Sequence, residues 1–141
     1  MHRITLDQAN RIITAAFQKG AELKLKPLSA AVLDPGGHLI AFQRQDDAST
    51  MRFQIASGKA SGALALGVSS RKIGEMAAER PSFVASLGSI AQQGMIPAAG
   101  GIIVADSGDI LGAVGVTGDS SDNDEMCALA GIAAAGLKAQ G

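Results

Sequence analysis

Lys59 is the side chain around which chemistry is easiest to place. It stands in Ala56-Ser57-Gly58-Lys59-Ala60-Ser61-Gly62-Ala63, a stretch otherwise small and uncharged. A lysine among Gly, Ala and Ser can approach a bound anion closely or lose basicity through burial. The plainer reading is an exposed lysine on a solvated helix face. Arg44, in Arg44-Gln45-Asp46-Asp47, can grip a carboxylate in the two-pronged geometry that guanidinium provides. It can equally pair with Asp46, Asp47 or a later acidic loop. Within that loop, Asp122, Asp124 and Glu125 offer a base or a ligand-orienting carboxylate. Helix capping by Asp122, with dipole compensation by the other two, accounts for them just as well. His38 follows Gly37 at a turn exit, where it can coordinate an iron or simply face water. In Ile96-Pro97-Ala98-Ala99-Gly100-Gly101, bare backbone N–H groups can wall a ligand site, or the segment can merely bend into the next strand.

Several sharper motifs are absent. Gly112-Ala113-Val114-Gly115-Val116-Thr117-Gly118 has the wrong glycine spacing for a dinucleotide site and reads as strand. Gly58-Lys59 lacks the upstream glycine of a phosphate loop, because Phe53 holds that place. His2 and His38 are the two histidines, so a multi-histidine metal site is excluded, and Cys127 alone cannot form a thiolate cluster. Cys127 in an Ala-rich helix reads as a buried, inert thiol. Met51, Met76, Met95 and Met126 can be soft ligands, but gap-filling is their default in a core without large aromatics.

These residues hang on a hairpin written twice. Val32-Leu33-Asp34-Pro35-Gly36-Gly37-His38-Leu39-Ile40-Ala41-Phe42 is echoed by Val104-Ala105-Asp106-Ser107-Gly108-Asp109-Ile110-Leu111-Gly112-Ala113-Val114. Asp34 aligns with Asp106, Gly36 with Gly108 and Leu39 with Leu111, and Asp/Gly-rich residues between β-prone runs predict tight turns. Each copy runs into a polar loop, residues 44–49 and 117–124, and then a small-residue helix. Thr5-Leu6-Asp7-Gln8 is a capping box, followed by a helical stripe of Leu6, Ala9, Ile13, Ala16, Phe17, Gly20 and Leu23, which ends by Pro27. Ser49 or Thr50 is expected to cap a second helix through about Leu66, and Ser69 or Ser70 a third through Arg80. Pro81 opens a fourth, and Asp122 caps the last, over 123–136. Met95 to Ala98 reads as a short edge strand. The expected fold is α+β: one antiparallel sheet of five strands, two pseudo-repeated hairpins plus that edge strand, flanked by helices.

At 141 residues the chain fits one domain spanning 1–141. Its net charge of -1 gives no footprint for nucleic acid or an anionic membrane. The longest apolar run, 127–137, is far short of the roughly 20 residues needed to span a bilayer. A single cysteine suits a reducing, cytoplasmic setting. With 18 Gly, no Trp and no Tyr, helices can pack closely on the sheet or on one another, which favours a homo-oligomer.

Over nearly its whole length the chain resembles the GlcG/HbpS family, which includes the C-terminal domain of PduO-type proteins. The likeness rests on Val32 to Leu39, Arg44-x-Asp46, Gly58-Lys59-Ala60, Pro97-x-x-Gly100-Gly101, Gly112 to Gly118 and Asp122-x-Asp124-Glu125. Met51-Arg52-Phe53, at the head of the second helix, departs from the pattern in a variable segment expected to shape the ligand, and Thr117 stands where many relatives carry Ser. The resemblance implies a profilin-like five-stranded fold, homo-oligomers and, for some members, haem or tetrapyrrole binding. Two functions are therefore carried forward. One is a ligand-binding protein for haem, another tetrapyrrole or a small organic acid, with Arg44, Lys59, Gly100, Gly101, Thr117 and Gly118 forming the site and His38 as a candidate iron ligand. The other is a cofactor-independent isomerase, tautomerase or hydrolase, in which Lys59 stabilises an anion and Asp124 or Glu125 moves the proton. A third, an accessory role resting on oligomerisation alone, needs none of them.

Overall fold

The computed structural model describes residues 2–140. The elements run α1 (Leu6–Glu22), β1 (Ser29–Leu33), β2 (Leu39–Arg44), α2 (Arg52–Leu66), α3 (Ser70–Glu79), α4 (Pro81–Ile90), β3 (Gly101–Asp106), β4 (Asp109–Thr117) and α5 (Ser121–Ala134). The four strands form one antiparallel sheet in the order β2-β1-β4-β3. The two hairpins thus lie side by side, joined through β1 and β4. Each hairpin slips register at an equivalent place, between Val32 and Leu33 and between Val104 and Ala105. The turns differ. Ser107 and Gly108 both take positive φ in a two-residue turn, whereas Gly37 alone does so in the longer first turn.

Alternation along β1, β3 and β4 separates two faces. Ala30, Val32, Ile102, Val104, Val114 and Val116 point to α1 and α5 and build the main core with Ile12, Ile13, Cys127 and Ile132. Ser29, Ala31, Leu33, Ala113, Gly115 and Thr117 point to α2. That face is shallow, so α2 comes down until backbone nearly meets backbone. A Cβ at Gly115 would collide with the Ala56 carbonyl, and one at Gly101 with the Lys59 carbonyl.

The fifth strand is not where the sequence suggested. Met95 to Ala98 is irregular, because Met95 and Ile96 lie over Gly58 and Gly62 on α2. The outer side of β3 is met instead by the chain's end: Ala105 N–H donates to Lys138 O at 3.0 Å and Gln140 N–H to Ile103 O at 2.8 Å. The Thr5–Gln8 capping box, the Ser69 cap and Pro81 at the start of α4 all form as expected. Other boundaries move. α1 stops at Glu22, and Leu6 is exposed while Ile12 fills the stripe. No side chain caps α2, where Ser49 Oγ accepts from the Arg52 guanidinium. Ser120, not Asp122, caps α5, leaving Asp122 free to pair with Arg71. Among the described residues no helix is long and apolar enough to cross a membrane.

Candidate functional site

The small residues around Lys59 bury it. The residue is 2 % exposed, and its amine donates to Asp124 Oδ2 at 3.2 Å and to Val116 O at 3.0 Å. It occupies space that a side chain at residue 100 would need, and Gly100 permits this at φ +129°. Burial pushes the amine below its ordinary 10.5, against the charge and hydrogen bond of Asp124 and with help from nearby Arg52. Asp124 Oδ1 also accepts from Asp119 N–H at 2.9 Å, so the pair ties α2, β4 and the entry to α5.

The other proposed site residues scatter around this pair. Glu125, one helical step from Asp124, turns outward to the Arg71 guanidinium at 3.1 Å. Gly101 and Gly118 are places of backbone contact, with Lys59 and with Pro27 respectively. Thr117 accepts from Arg52 at 2.8 Å. Arg44 shares the α2 face with it but forms no ion pair among the described residues, neither with Asp46 nor with Asp47.

His38 stands apart, at the rim of an apolar cleft of about 690 Å³ on the opposite flank of α2. The cleft lies between α2, the first hairpin turn and the segment before β3. Leu33, Leu39, Phe53, Met95 and Ile96 supply its apolar surface. Phe53 is fixed edge-on against Phe42 at 4.9 Å between ring centres. The third wall is pinned by Ser61, whose hydroxyl lies 3.0 Å from Gln93 O and 2.7 Å from Gly94 O. Ser57 also lines the cleft, and its buried hydroxyl has no partner among the described residues.

Asp34 orients the imidazole. Its Oδ1 accepts from the backbone N–H of Gly36 and of His38, both at 2.9 Å, and lies 3.2 Å from His38 Nδ1. A carboxylate only accepts, so in the neutral ring this contact favours the proton on Nδ1 and the lone pair on Nε2. Partial burial alone would raise the Asp34 carboxyl; the His38 backbone N–H and ring, with Gly36 N–H, outweigh it and hold it below its ordinary 3.8. A carboxylate behind one nitrogen and an open lone pair on the other is the arrangement by which proteins present histidine to a metal. Sequence reasoning missed this dyad, along with Ser57, and marked Arg52 only as part of the ligand-shaping segment Met51-Arg52-Phe53. The Asp-x-x-x-His spacing was the available signal, but it was absorbed into the turn.

Cys127 lies in the core as expected, and burial raises its thiol to about 11. It is expected to resist a thiol reagent at pH 8 in the native protein and to react fully in denaturant. Modification at equal rates in both would contradict this packing.

A family model described as "Haem degrading protein HbpS-like" matches residues 4–133. The chain is 31% identical over 125 residues to an uncharacterised 15.0 kDa protein of the dhaT-dhaS intergenic region of Citrobacter freundii, covering 89% of this chain and 87% of that one. Among solved structures, protein ORFY of Klebsiella pneumoniae superposes with a TM-score of 0.86 at 28% identity, covering 96% and 92% of the two chains. A PduOC–haem complex superposes with a TM-score of 0.87 at 21% identity, covering 99% of both.

Proposed function

The chain belongs to the HbpS-like family, and on that premise we propose that it binds haem or a closely related tetrapyrrole in the cleft beside α2. The observation that carries this reading is the His38–Asp34 dyad at the rim of an apolar cleft. A volume of about 690 Å³ falls within the roughly 300–1,000 Å³ usual for small-molecule sites. Leu33, Leu39, Phe53 and Ile96 suit the flat apolar body of a macrocycle, and His38 Nε2 suits its metal. Ser57 offers an unused hydroxyl to a polar edge. Haem there would supply an iron centre. The chain's own part is to hold the imidazole in one tautomer, to exclude water with Phe53 and Met95, and to leave the polar margin of the ligand facing solvent.

Hemin titration followed by absorbance tests the reading. Wild type should give a saturable, shifted Soret band. His38→Ala should weaken binding at least tenfold, and Asp34→Asn by about tenfold through loss of orientation. A His38→Ala titration superimposable on wild type would overturn the assignment.

Two further parts of this reading concern the setting. We assign a homo-oligomer on the exposed apolar side chains of Leu39, Met51 and Phe53 near the free edge of β2, and a reducing, cytoplasmic location on the lone thiol. The enzymatic alternative rests on the Lys59–Asp124 contact, the kind a proton-transfer pair requires. Both residues are at most 2 % exposed, so it needs an opening of α2 from β4, whereas the cleft is already open.

A further inference from the structure

At the end of the sheet, on the face toward α2, one row of residues crosses three strands. Arg44 on β2 is in register with Ser29 on β1, and Ser29 with Thr117 on β4. Directly opposed side chains stand about 5 Å apart, so Ser29 sits between Arg44 and Thr117. Above the row, Arg52 donates from Nη1 to Thr117 Oγ1 at 2.8 Å and from Nε to Ser49 Oγ at 3.1 Å.

The groups gathered here are almost all donors. Arg52 is half-buried, yet both of its partners are neutral hydroxyls and no carboxylate lies within ion-pair distance among the described residues. Thr117 and Ser49 accept from Arg52, so their own protons remain to be donated, and neither has an acceptor among the described residues. Ser29 is fully buried and its hydroxyl has no partner among the described residues. Arg44 is unpaired. The first turn of α2 contains no acidic residue and no side-chain cap.

Nearby acceptors are committed elsewhere. Asp124 is held by Lys59 and Asp119 N–H, and Asp119 accepts from Lys26 N–H, Ser120 N–H and the Asn123 amide. Asp46 and Asp47 pair with neither arginine. A half-buried guanidinium ringed by hydroxyls with protons to give lacks one thing, an oxyanion.

We propose that Arg52, Thr117 and Ser29, with Arg44 as the second cation, form a binding site for a carboxylate on the flank of α2 opposite the cleft. Arg52 presents the forked donors, the hydroxyls of Thr117 and Ser49 complete the shell, and relaxation around the anion gives Ser29 a partner. Free small carboxylic acids and the propionate arm of a tetrapyrrole share this chemistry. The site stands on its own observations and does not depend on haem being the occupant of the cleft.

Calorimetric titration with succinate, beside hemin titration, separates the cases. Saturable succinate binding that falls at least tenfold in Arg52→Gln, with hemin affinity unchanged, assigns the site to a free acid. If succinate does not bind but Arg52→Gln weakens hemin at least tenfold, the ligand is the propionate of a tetrapyrrole seated on this flank of α2 rather than in the cleft. Thr117→Val, which keeps the guanidinium, should reproduce the loss in part. The Arg52 Nε–H resonance of the wild type should move with the succinate isotherm, so the result does not hang on a variant that misfolds. Absence of succinate binding to wild type, with hemin binding either absent or indifferent to Arg52→Gln, overturns the proposal.

Discussion

The Lys59→Met variant is expected to lose about 3–5 kcal/mol of stability, because it leaves the Asp124 carboxylate buried without its cation. For a chain of this size that is a fall in Tm on the order of 10 °C. The amine satisfies Val116 O as well as Asp124, and neither acceptor can reach water while α2 lies on β4. A Lys59→Met, Asp124→Leu double variant should recover most of the loss, since the penalty lies in the orphaned charge rather than in the missing attraction. A single variant within about 1 kcal/mol of wild type would contradict the burial described here. The pair also sets a sign for pH dependence. The folded protein holds this lysine below 10.5, so in the window between that lowered value and 10.5 the unfolded chain carries more protons. The Lys59 contribution therefore makes stability rise with pH across that window. Cys127 works in the opposite sense: its thiol, raised from 9.0 to about 11, favours the folded state below 9.0 and loses that advantage as pH climbs to about 11. Subtracting the Lys59→Met stability curve from that of wild type isolates the lysine.

Gly115→Ala should be comparably damaging, at about 3 kcal/mol or more. The new methyl would meet the carbonyl of Ala56 at less than contact distance and the Ala60 nitrogen at 3.2 Å. Both are helix backbone, which cannot swing aside as a side chain can. The whole of α2 must lift, and that movement disturbs the Lys59 pair and one wall of the cleft together. Gly88→Ala is the matched control. Nothing lies within 4 Å of its would-be Cβ, so helix propensity alone should make it neutral or stabilising by up to about 1 kcal/mol. Chemical denaturation of the two variants beside wild type gives the comparison directly.

The hairpins were legible because turn chemistry is local. Asp34 and Asp106, each with glycines after it, announce a reversal whatever the rest of the chain does, and the matching register slips extend the duplication further than the letters do. The misplaced fifth strand shows the limit. Met95-Ile96 looks β-like by composition, but its environment is set by Gly58 and Gly62 on a helix more than thirty residues earlier. Lys138 to Gln140, which does meet β3, has no alternation to betray it. At the site, small neighbours correctly allowed for a buried Lys59, but choosing Asp124 over Glu125 required the phase of α5, and one residue turns a helix by about 100°. Arg52 was visible only as part of the departing segment Met51-Arg52-Phe53, because a cation there carries no motif that assigns it a partner. Its meaning lies in a hydroxyl 65 positions away, Thr117.

The sheet's two margins are unequal, and this bears on how copies of the molecule can accumulate. Along β3 the tail from Lys138 to Gln140 already takes the Ile103 carbonyl and the Ala105 N–H. Along β2 the ladder is one-sided. Gln45 N–H donates inward to Leu28 O, so alternation turns the backbone of Phe42 and Arg44 outward. Strand joining between copies at that margin would use it up and present partly covered margins at both far sides. Such growth is disfavoured beyond a pair, and with it the endless ribbon that is the hazard of any naked strand.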